Sequence, residues 1–374
     1  QAGPCPNGAP LAFEGAEGFG QCSQGGRGGR TIDVTNLNNS GPGSLRQCAQ
    51  VETGPRICRF TVSGTIALSP VIGGNFSDLD IVNDYVTIDG STAPMGGIAL
   101  KDGGLTIKAN HVIVRHLRVR PGLKTWLERG QNSNAIAIQS NNGVSISNVI
   151  VDHVTASWGN DDLVYVIYGS DLVTIQWSIF SEGIMDCPGP CSGSKGFLMG
   201  YGAKSVSFHH NLSAHNWIRW PEYTGGGDKP DLIGQLDFVN NVHYNGNGTD
   251  TIMWSYHGPQ FANFVGNYWK IGLDGPATKP LNQTYASIRT IGGQTYTASS
   301  GLYVHDNYGR YWPTQCNGCN AVVGQAVSDE KIIWADNGGI PVATVRYNYP
   351  LVTTTDPQQA YQDVLNGVGA FPRD

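Results

Sequence analysis

Charge is what this chain has least of. Asp, Glu, Lys and Arg make up 14% of its 374 residues, against roughly 25% in an average domain. Long surface helices are built from Ala, Leu, Glu and Lys, so the shortage argues against a helical protein. Twenty-three basic residues stand against 29 acidic ones, a formal net charge of -6. No basic stripe is present to displace counterions from nucleic acid, and that partner class is excluded. Apolar runs of 18 or more residues are missing too, so no helical membrane span is expected.

Glycine is abundant, at 51 residues, and Asn, Ser and Thr supply most of the polarity. This palette suits an all-β protein with many turns. Length alone would allow two or three domains. Eight cysteines indicate an oxidising compartment. Neighbour pairing would join Cys5 with Cys22, Cys48 with Cys58, Cys187 with Cys191 and Cys316 with Cys319, although sequence leaves connectivity open. The rival for Cys316-Asn317-Gly318-Cys319 is a zinc knuckle or redox pair, but no second ligand pair follows at metal spacing. Glycosylation sequons stand at Asn38, Asn75, Asn211, Asn247 and Asn282. With Gln1 read as a mature N-terminus left by signal-peptide removal, the expectation is a secreted, extracellular, monomeric protein.

Short apolar runs recur along the chain, among them Val112-Ile113-Val114, Val149-Ile150-Val151, Val173-Thr174-Ile175, Val206-Ser207-Phe208, Leu236-Asp237-Phe238-Val239 and Leu302-Tyr303-Val304. Asn, Gly, Asp or Ser separates most of them. Equivalent runs return after about 20 to 25 residues, with longer gaps where loops are inserted, which is the range of solenoids. In Asn141-Asn142-Gly143-Val144-Ser145-Ile146-Ser147-Asn148-Val149-Ile150-Val151, alternation buries one face of each short strand, and Asn and Gly tolerate the left-handed turns between them. The expected architecture is an all-β, right-handed parallel β-helix with inserted loops. Stacked Asn side chains would form ladders at its turns. It is taken as one domain over residues 1–374 with a capping segment at each end. A β-sandwich is the alternative, but it would show more Asn-Gly hairpin signals between longer strands.

One stretch concentrates chemistry. Ser194-Lys195-Gly196, a short apolar run, His209-His210-Asn211 and Arg219-Trp220-Pro221 place two cations around strand and turn backbone. In so lightly charged a chain, they suggest a site for an anionic substrate. This stretch and several others resemble polysaccharide lyase family 1, the pectate and pectin lyases. The others are Gly15-Ala16-Glu17-Gly18-Phe19-Gly20, Val62-Ser63-Gly64-Thr65-Ile66, Arg115-His116-Leu117-Arg118-Val119-Arg120-Pro121-Gly122, Val151-Asp152-His153, Ser157-Trp158-Gly159 and Gln176-Trp177-Ser178-Ile179. The resemblance reaches to about Tyr311.

The resemblance implies β-elimination on a polyuronate such as polygalacturonate. A base removes the C5 proton, cations stabilise the carboxylate, and the C4 oxygen leaves. The family arginine two positions before a proline is matched by Arg219, and Lys195 matches a lysine that contacts the substrate carboxylate. Arginine is an awkward base because its pKa exceeds about 12, so neighbouring positive charge or burial would have to lower it, and Lys195 stays open for the role. A plain salt bridge from Arg219 to Glu222 is the structural alternative.

Departures from the family pattern concern calcium, which pectate lyases bind through cleft carboxylates. One such position is Asn134 here, with Asn132 two residues before it. Asp161 and Asp162 remain as a candidate half-site, Tyr165 stands where many members carry another aspartate, and Glu222 stands after the proline where a basic residue is common. A hard cation prefers charged oxygens, so calcium is expected to bind less tightly, if it is used. Trp217, Trp220, Glu222, Arg120 and Asn134 are expected at the substrate, whereas Trp158 and Trp177 are expected in packing. Arg118 would share its strand face with Arg120, and Asp152-His153 would be a buried bonded pair. Fewer carboxylates and more aromatics keep open a calcium-independent pectin lyase and a lyase for another polyuronate. A hydrolase of the polygalacturonase kind lacks its Gly-His-Gly and Arg-Ile-Lys elements, and a non-catalytic polysaccharide-binding β-helix is the remaining alternative.

Overall fold

The computed structural model describes residues 5–68, 78–186, 193–225, 233–246, 259–270, 272–273, 300–308 and 343–372, with Arg129 described in its backbone alone; for the short strands among residues 252–254, 282–297 and 309–336 it likewise describes the backbone alone. Strands dominate, and three long sheets run side by side along the molecule. Sheet 1 contains Leu79–Ile81, Leu105–Ile107, Ile136–Ile138, Asp162–Ile167, Lys195–Gly200 and Glu222–Thr224, and continues through Ile252–Trp254. Sheet 2 contains Val112–Arg115, Ile146–Asp152, Ser170–Gln176, Ser205–His209, Gly234–Val239 and Gln260–Val265. Sheet 3 contains Leu117–Arg120, Thr155–Ser157, Ile179–Ser181, Leu212–Ala214 and Val242–Tyr244. The chain visits the sheets in rotation, and each strand pairs in parallel with its equivalent one turn later, as Val149 does with Val173 and Val173 with Val206.

This is the expected right-handed parallel β-helix. Parallel pairing across all three sheets excludes the β-sandwich, whose hairpins would pair antiparallel. Hydrogen bonds between successive rungs join residues 24 to 40 apart, a wider spread than the repeat read from sequence. The extra length lies mainly between sheet 3 and sheet 1, in segments 121–135, 182–194 and 215–221. Loops inserted at one corner leave the strands in register and gather variable chemistry there.

The interior is stacked apolar side chains. Phe197 lies on Phe208 at 4.2 Å between ring centroids, Phe208 on Phe238 at 5.5 Å, and Phe238 meets Phe264 at 5.2 Å. At the corner between sheets 2 and 3, the buried amides of Asn211, Asn241, Asn267 and Asn307 form the expected ladder. The backbone N–H groups of Asn211, Asn241 and Asn267 each donate to the Oδ1 of the next rung at 2.9 to 3.0 Å. Each Nδ2 also reaches back to a carbonyl, as Asn241 does to Phe208. Asn211 is wholly buried there, so its sequon is closed to a glycan in the folded protein. The preceding residues at this corner, His116, His153, Trp177 and His210, all have φ between 50° and 54°. Their rings stack outside, Trp177 on His210 at 4.4 Å.

A C-terminal helix, Pro357–Gly367, lies against this aromatic row and sheet 3 through Val364 and Tyr361. Asp356 caps it by accepting from the N–H groups of Gln358 and Gln359 at 3.0 and 3.1 Å. Disulfides join Cys5 to Cys22 and Cys48 to Cys58. The other two expected pairs lie outside the described residues. No helix among the described residues is long and apolar enough to cross a membrane.

Candidate active site

The corner between sheets 3 and 1 holds the charged site. Asp162 and Lys195 open adjoining strands of sheet 1 and pair directly in register. Arg219 stands three residues before Glu222, which opens the next strand. Gly196 donates its N–H to Ile218 O at 2.9 Å, and Phe197 donates to Arg219 O at 2.7 Å. A side chain at Gly196 would put its Cβ 2.5 Å from Arg219 O. Glycine is therefore required for the two segments to lie this close.

Each cation meets a carboxylate from an earlier turn, Lys195 from the turn before it and Arg219 from two turns back. Lys195 Nζ lies 2.6 Å from Asp161 Oδ1. Arg219 Nη1 lies 2.9 and 3.0 Å from the two oxygens of Asp162, and its Nε contacts Glu222 Oε2. Asp162 is buried, with 5% of its side chain exposed. Burial pushes its carboxyl up to about 6, with Asp161's charge adding to the rise and Arg219 opposing it. For Arg219, burial pulls the pKa down, but Asp162 and Glu222 outweigh it and hold the guanidinium above its ordinary value. A base role calls for a lowered arginine pKa; the resting site does the opposite, because both neighbours are acidic.

Asparagines hold the acidic turn in shape. Asn134 Oδ1 accepts from the Asp162 N–H at 3.0 Å, Asn160 Oδ1 accepts from Ser133 N–H at 2.5 Å, and Asn132 Nδ2 donates to Asp161 Oδ2 at 3.3 Å. The Oδ1 of Asn134 is thus committed to backbone, and the residue is half-buried. Asn132 Oδ1 is buried without a hydrogen-bond partner. An orphaned neutral acceptor on a residue whose amide touches Asp161 fits a hard oxygen-seeking cation.

The remaining expectations divide. Trp217 is 41% exposed, with its N–H held by Ser194 O at 2.8 Å beside Lys195. Trp220 is 1% exposed and meets Phe208 edge-on at 5.0 Å. The expectation that it contacts substrate is overturned, because the tight turn after Arg219 sends its ring into the core. Glu222 is an ion-pair partner of Arg219, and its negative charge would repel a polyanion, so a direct substrate contact is not supported. Trp177 packs in the corner stack as expected. Trp158 does not pack away: it is 43% exposed, donates Nε1–H to Glu182 Oε2 at 3.0 Å, and lies 5.2 Å from the Arg120 guanidinium.

Arg118 leaves the cleft question altogether, since it is buried and donates to Gly96 O and Pro372 O. Asp152 is buried and bonded to Arg115 and Gln176, each at 2.7 Å, with His153 Nδ1 at 2.9 Å. His210 is depressed to about 4 and His209 well below its usual value, chiefly by burial, so neither is a charged site group. Sequence alone does not assign Asn160, Glu182 and the exposed Trp158 to the site; nearness to Asp161-Asp162 was a signal for Asn160 and Trp158, and Glu182 offered none.

No family model matches the chain. It is 33% identical to the probable pectate lyase C of Aspergillus fumigatus over 369 residues, which is 97% of this chain and 74% of that protein. The chain belongs to the pectate lyase family. A probable pectate lyase C of Aspergillus terreus is 34% identical over the same share of each chain. Among solved structures, a thermostable pectate lyase superposes with a TM-score of 0.64 at 13% identity, over 99% of this chain and all of that one. The major allergen of cedar pollen superposes with a TM-score of 0.61 at 18% identity, covering 95% and 92%. At those identities the likeness is one of fold. Membership makes this chain a polysaccharide lyase, with Asp161, Asp162, Lys195 and Arg219 standing together at one corner of its β-helix.

Proposed function

We propose that this lyase cleaves polygalacturonate by β-elimination, with Lys195 and Arg219 as the groups that meet the reacting sugar. The observation that carries it is the pairing of both cations with replaceable carboxylates, Lys195 with Asp161 and Arg219 with Asp162. A galacturonate carboxylate carries the same charge and shape as these aspartates and can take their place. A methyl-esterified unit is neutral and cannot, so the pairing favours pectate over pectin.

The step balances simply. The base takes the C5 proton, the C5–H electron pair becomes the C4–C5 double bond, the C4–O4 bond breaks, O4 gains a proton from water, and the hydroxide left behind takes the proton from the base and restores it. Cationic charge at the sugar carboxylate stabilises the charge that develops next to C5. Arg219 serves as the base once Asp162 and Glu222 no longer neutralise it. A second assignment gives proton removal to Lys195, favoured by the acidic pairing that keeps Arg219 protonated at rest and by the lower intrinsic pKa of lysine.

Calcium is part of the proposal. Asp161, Asp162 and Asn132 Oδ1 would hold it, and when bound it would add positive charge at the substrate carboxylate. Two disulfides in the described residues support a secreted enzyme. The test is absorbance of the unsaturated uronide on pectate and on fully methylated pectin, each with calcium or chelator. Product from pectate that vanishes with chelator supports the proposal. Reducing ends without the absorbance would mean hydrolysis and overturn it.

A further inference from the structure

Trp158 combines features that the elimination chemistry does not use. It occupies the turn between the sheet 3 strand Thr155–Ser157 and the Asp161-Asp162 pair. Its backbone is bonded on both sides, accepting from Gly122 N–H at 3.0 Å and donating to Glu182 O at 3.2 Å. Its φ of 62° lies in the left-handed region, which a bulky side chain rarely occupies. Its indole N–H is tied to Glu182 and the Arg120 guanidinium lies near one face, yet 43% of the residue is open to solvent. A large ring held this firmly has lost its rotational freedom before any ligand arrives, which lowers the cost of binding.

Its position is equally specific. Trp158 lies on the rung of Asp162, and exposed Trp217 lies two strands of sheet 1 further on, just before Arg219. Neighbouring strands are about 4.8 Å apart, so the two indoles sit roughly 10 Å apart along the helix axis. The Lys195 rung lies between them.

We propose that Trp158 and Arg120 form a binding subsite for a second uronic acid unit of the same polysaccharide chain, one or two sugars from the bond that breaks. The C–H face of the pyranose stacks on the open part of the indole, and Arg120 meets that unit's carboxylate. Glu182 acts as a positioning residue by fixing the ring. This rests on the polyuronate reading above, since it extends the same bound chain past the reacting sugar.

The experiment is calorimetric titration of the full protein with saturated trigalacturonate and with its methyl ester. Wild-type, Trp158→Ala, Trp158→Phe and Arg120→Gln proteins are compared, with thermal unfolding run on each. Trp158→Ala should weaken trigalacturonate binding about three- to tenfold, the range of an aromatic contact, and Trp158→Phe should recover most of it. Arg120→Gln should weaken binding of the acid and leave the ester alone. Affinity unchanged in folded Trp158→Ala, or no binding by wild-type, overturns the subsite. If Trp158→Ala unfolds, Trp158→Phe and Arg120→Gln decide by the same criteria. Formation of unsaturated uronide by wild-type is scored separately, so a lyase with no Trp158 effect refutes the subsite alone.

Discussion

Arg219 Nη1 spans both carboxylate oxygens of Asp162, at 2.9 and 3.0 Å, although the two residues are 57 apart in sequence. The same arginine contacts Glu222 through Nε. In the resting protein it is a neutralised cation rather than a free base. Substrate or cation must change that balance before Arg219 can accept a proton.

Replacing the arginine separates the two assignments of the base. Arg219→Ala should lower kcat/KM on pectate about 10²- to 10⁴-fold, the usual contribution of a positioned base. Arg219→Lys, with its lower intrinsic pKa, should move the rising limb of the pH–rate profile to lower pH. If the limb stays in place while Lys195→Ala abolishes turnover, Lys195 is the base.

Asp162 carries a stability signature in mild acid. Its folded pKa of about 6 lies above the roughly 3.9 of an unfolded aspartate. The folded state therefore binds the proton more readily, and this stabilisation is complete below the unfolded value and lost as the pH rises through about 6. Asp162→Asn cannot titrate. The melting temperature of wild-type relative to Asp162→Asn should accordingly fall between pH 4 and pH 6; a difference that is flat or rises over that range contradicts the assignment.

Calcium should stabilise the protein at neutral pH and much less in acid. A protonated Asp162 is a poor ligand, so metal affinity follows its ionisation. Scanning calorimetry with calcium or chelator should show a rise in Tm at pH 7 that shrinks at pH 5 and disappears in Asp161→Asn. An equal rise in that variant would place the ion elsewhere.

The asparagine ladder should be costly to interrupt. Asn241→Ala removes the Oδ1 that accepts from Asn211 and the Nδ2 that donates to Phe208 O. Each buried group left unpaired costs about 1–3 kcal/mol. Urea unfolding should show a loss of at least about 2 kcal/mol, and a loss below about 0.5 kcal/mol would mean that the corner rearranges at little cost.

Trp220 should behave as core. Trp220→Ala leaves a cavity among Phe180, Phe208 and Phe238, and large aromatic truncations of this kind cost about 3–5 kcal/mol. A loss under 1 kcal/mol in denaturant titration would be incompatible with the packing described.

The β-helix was legible because its signal is repetitive. Apolar runs such as Val149-Ile150-Val151 and Val173-Thr174-Ile175 each needed a partner one turn away, and Asn at fixed places implied a ladder. The candidate site was legible in part, because Lys195 and Arg219 stand out in a chain with so little charge, while Asp161 and Asp162 were implied by the family resemblance. Their pairing was not. Sequence treated Trp220 as a cleft surface and Trp158 as packing, whereas the structure buries Trp220 and leaves Trp158 43% exposed. The direction of a side chain at these turns depends on single φ values, 62° at Trp158 and 70° at Arg219, which composition and periodicity do not encode.

By itself the sequence determined the all-β solenoid, the asparagine ladder at its turns and two cations held on strand and turn backbone. These follow from local alternation, turn chemistry and scarcity of charge, all of which are properties of short segments. Tertiary structure decided which carboxylate neutralises which cation, why Arg219 is held protonated, and which indole reaches solvent. Those outcomes depend on stacking segments from successive turns within a few ångströms. Only there do burial and opposing charges set the balance at Asp162 and Arg219.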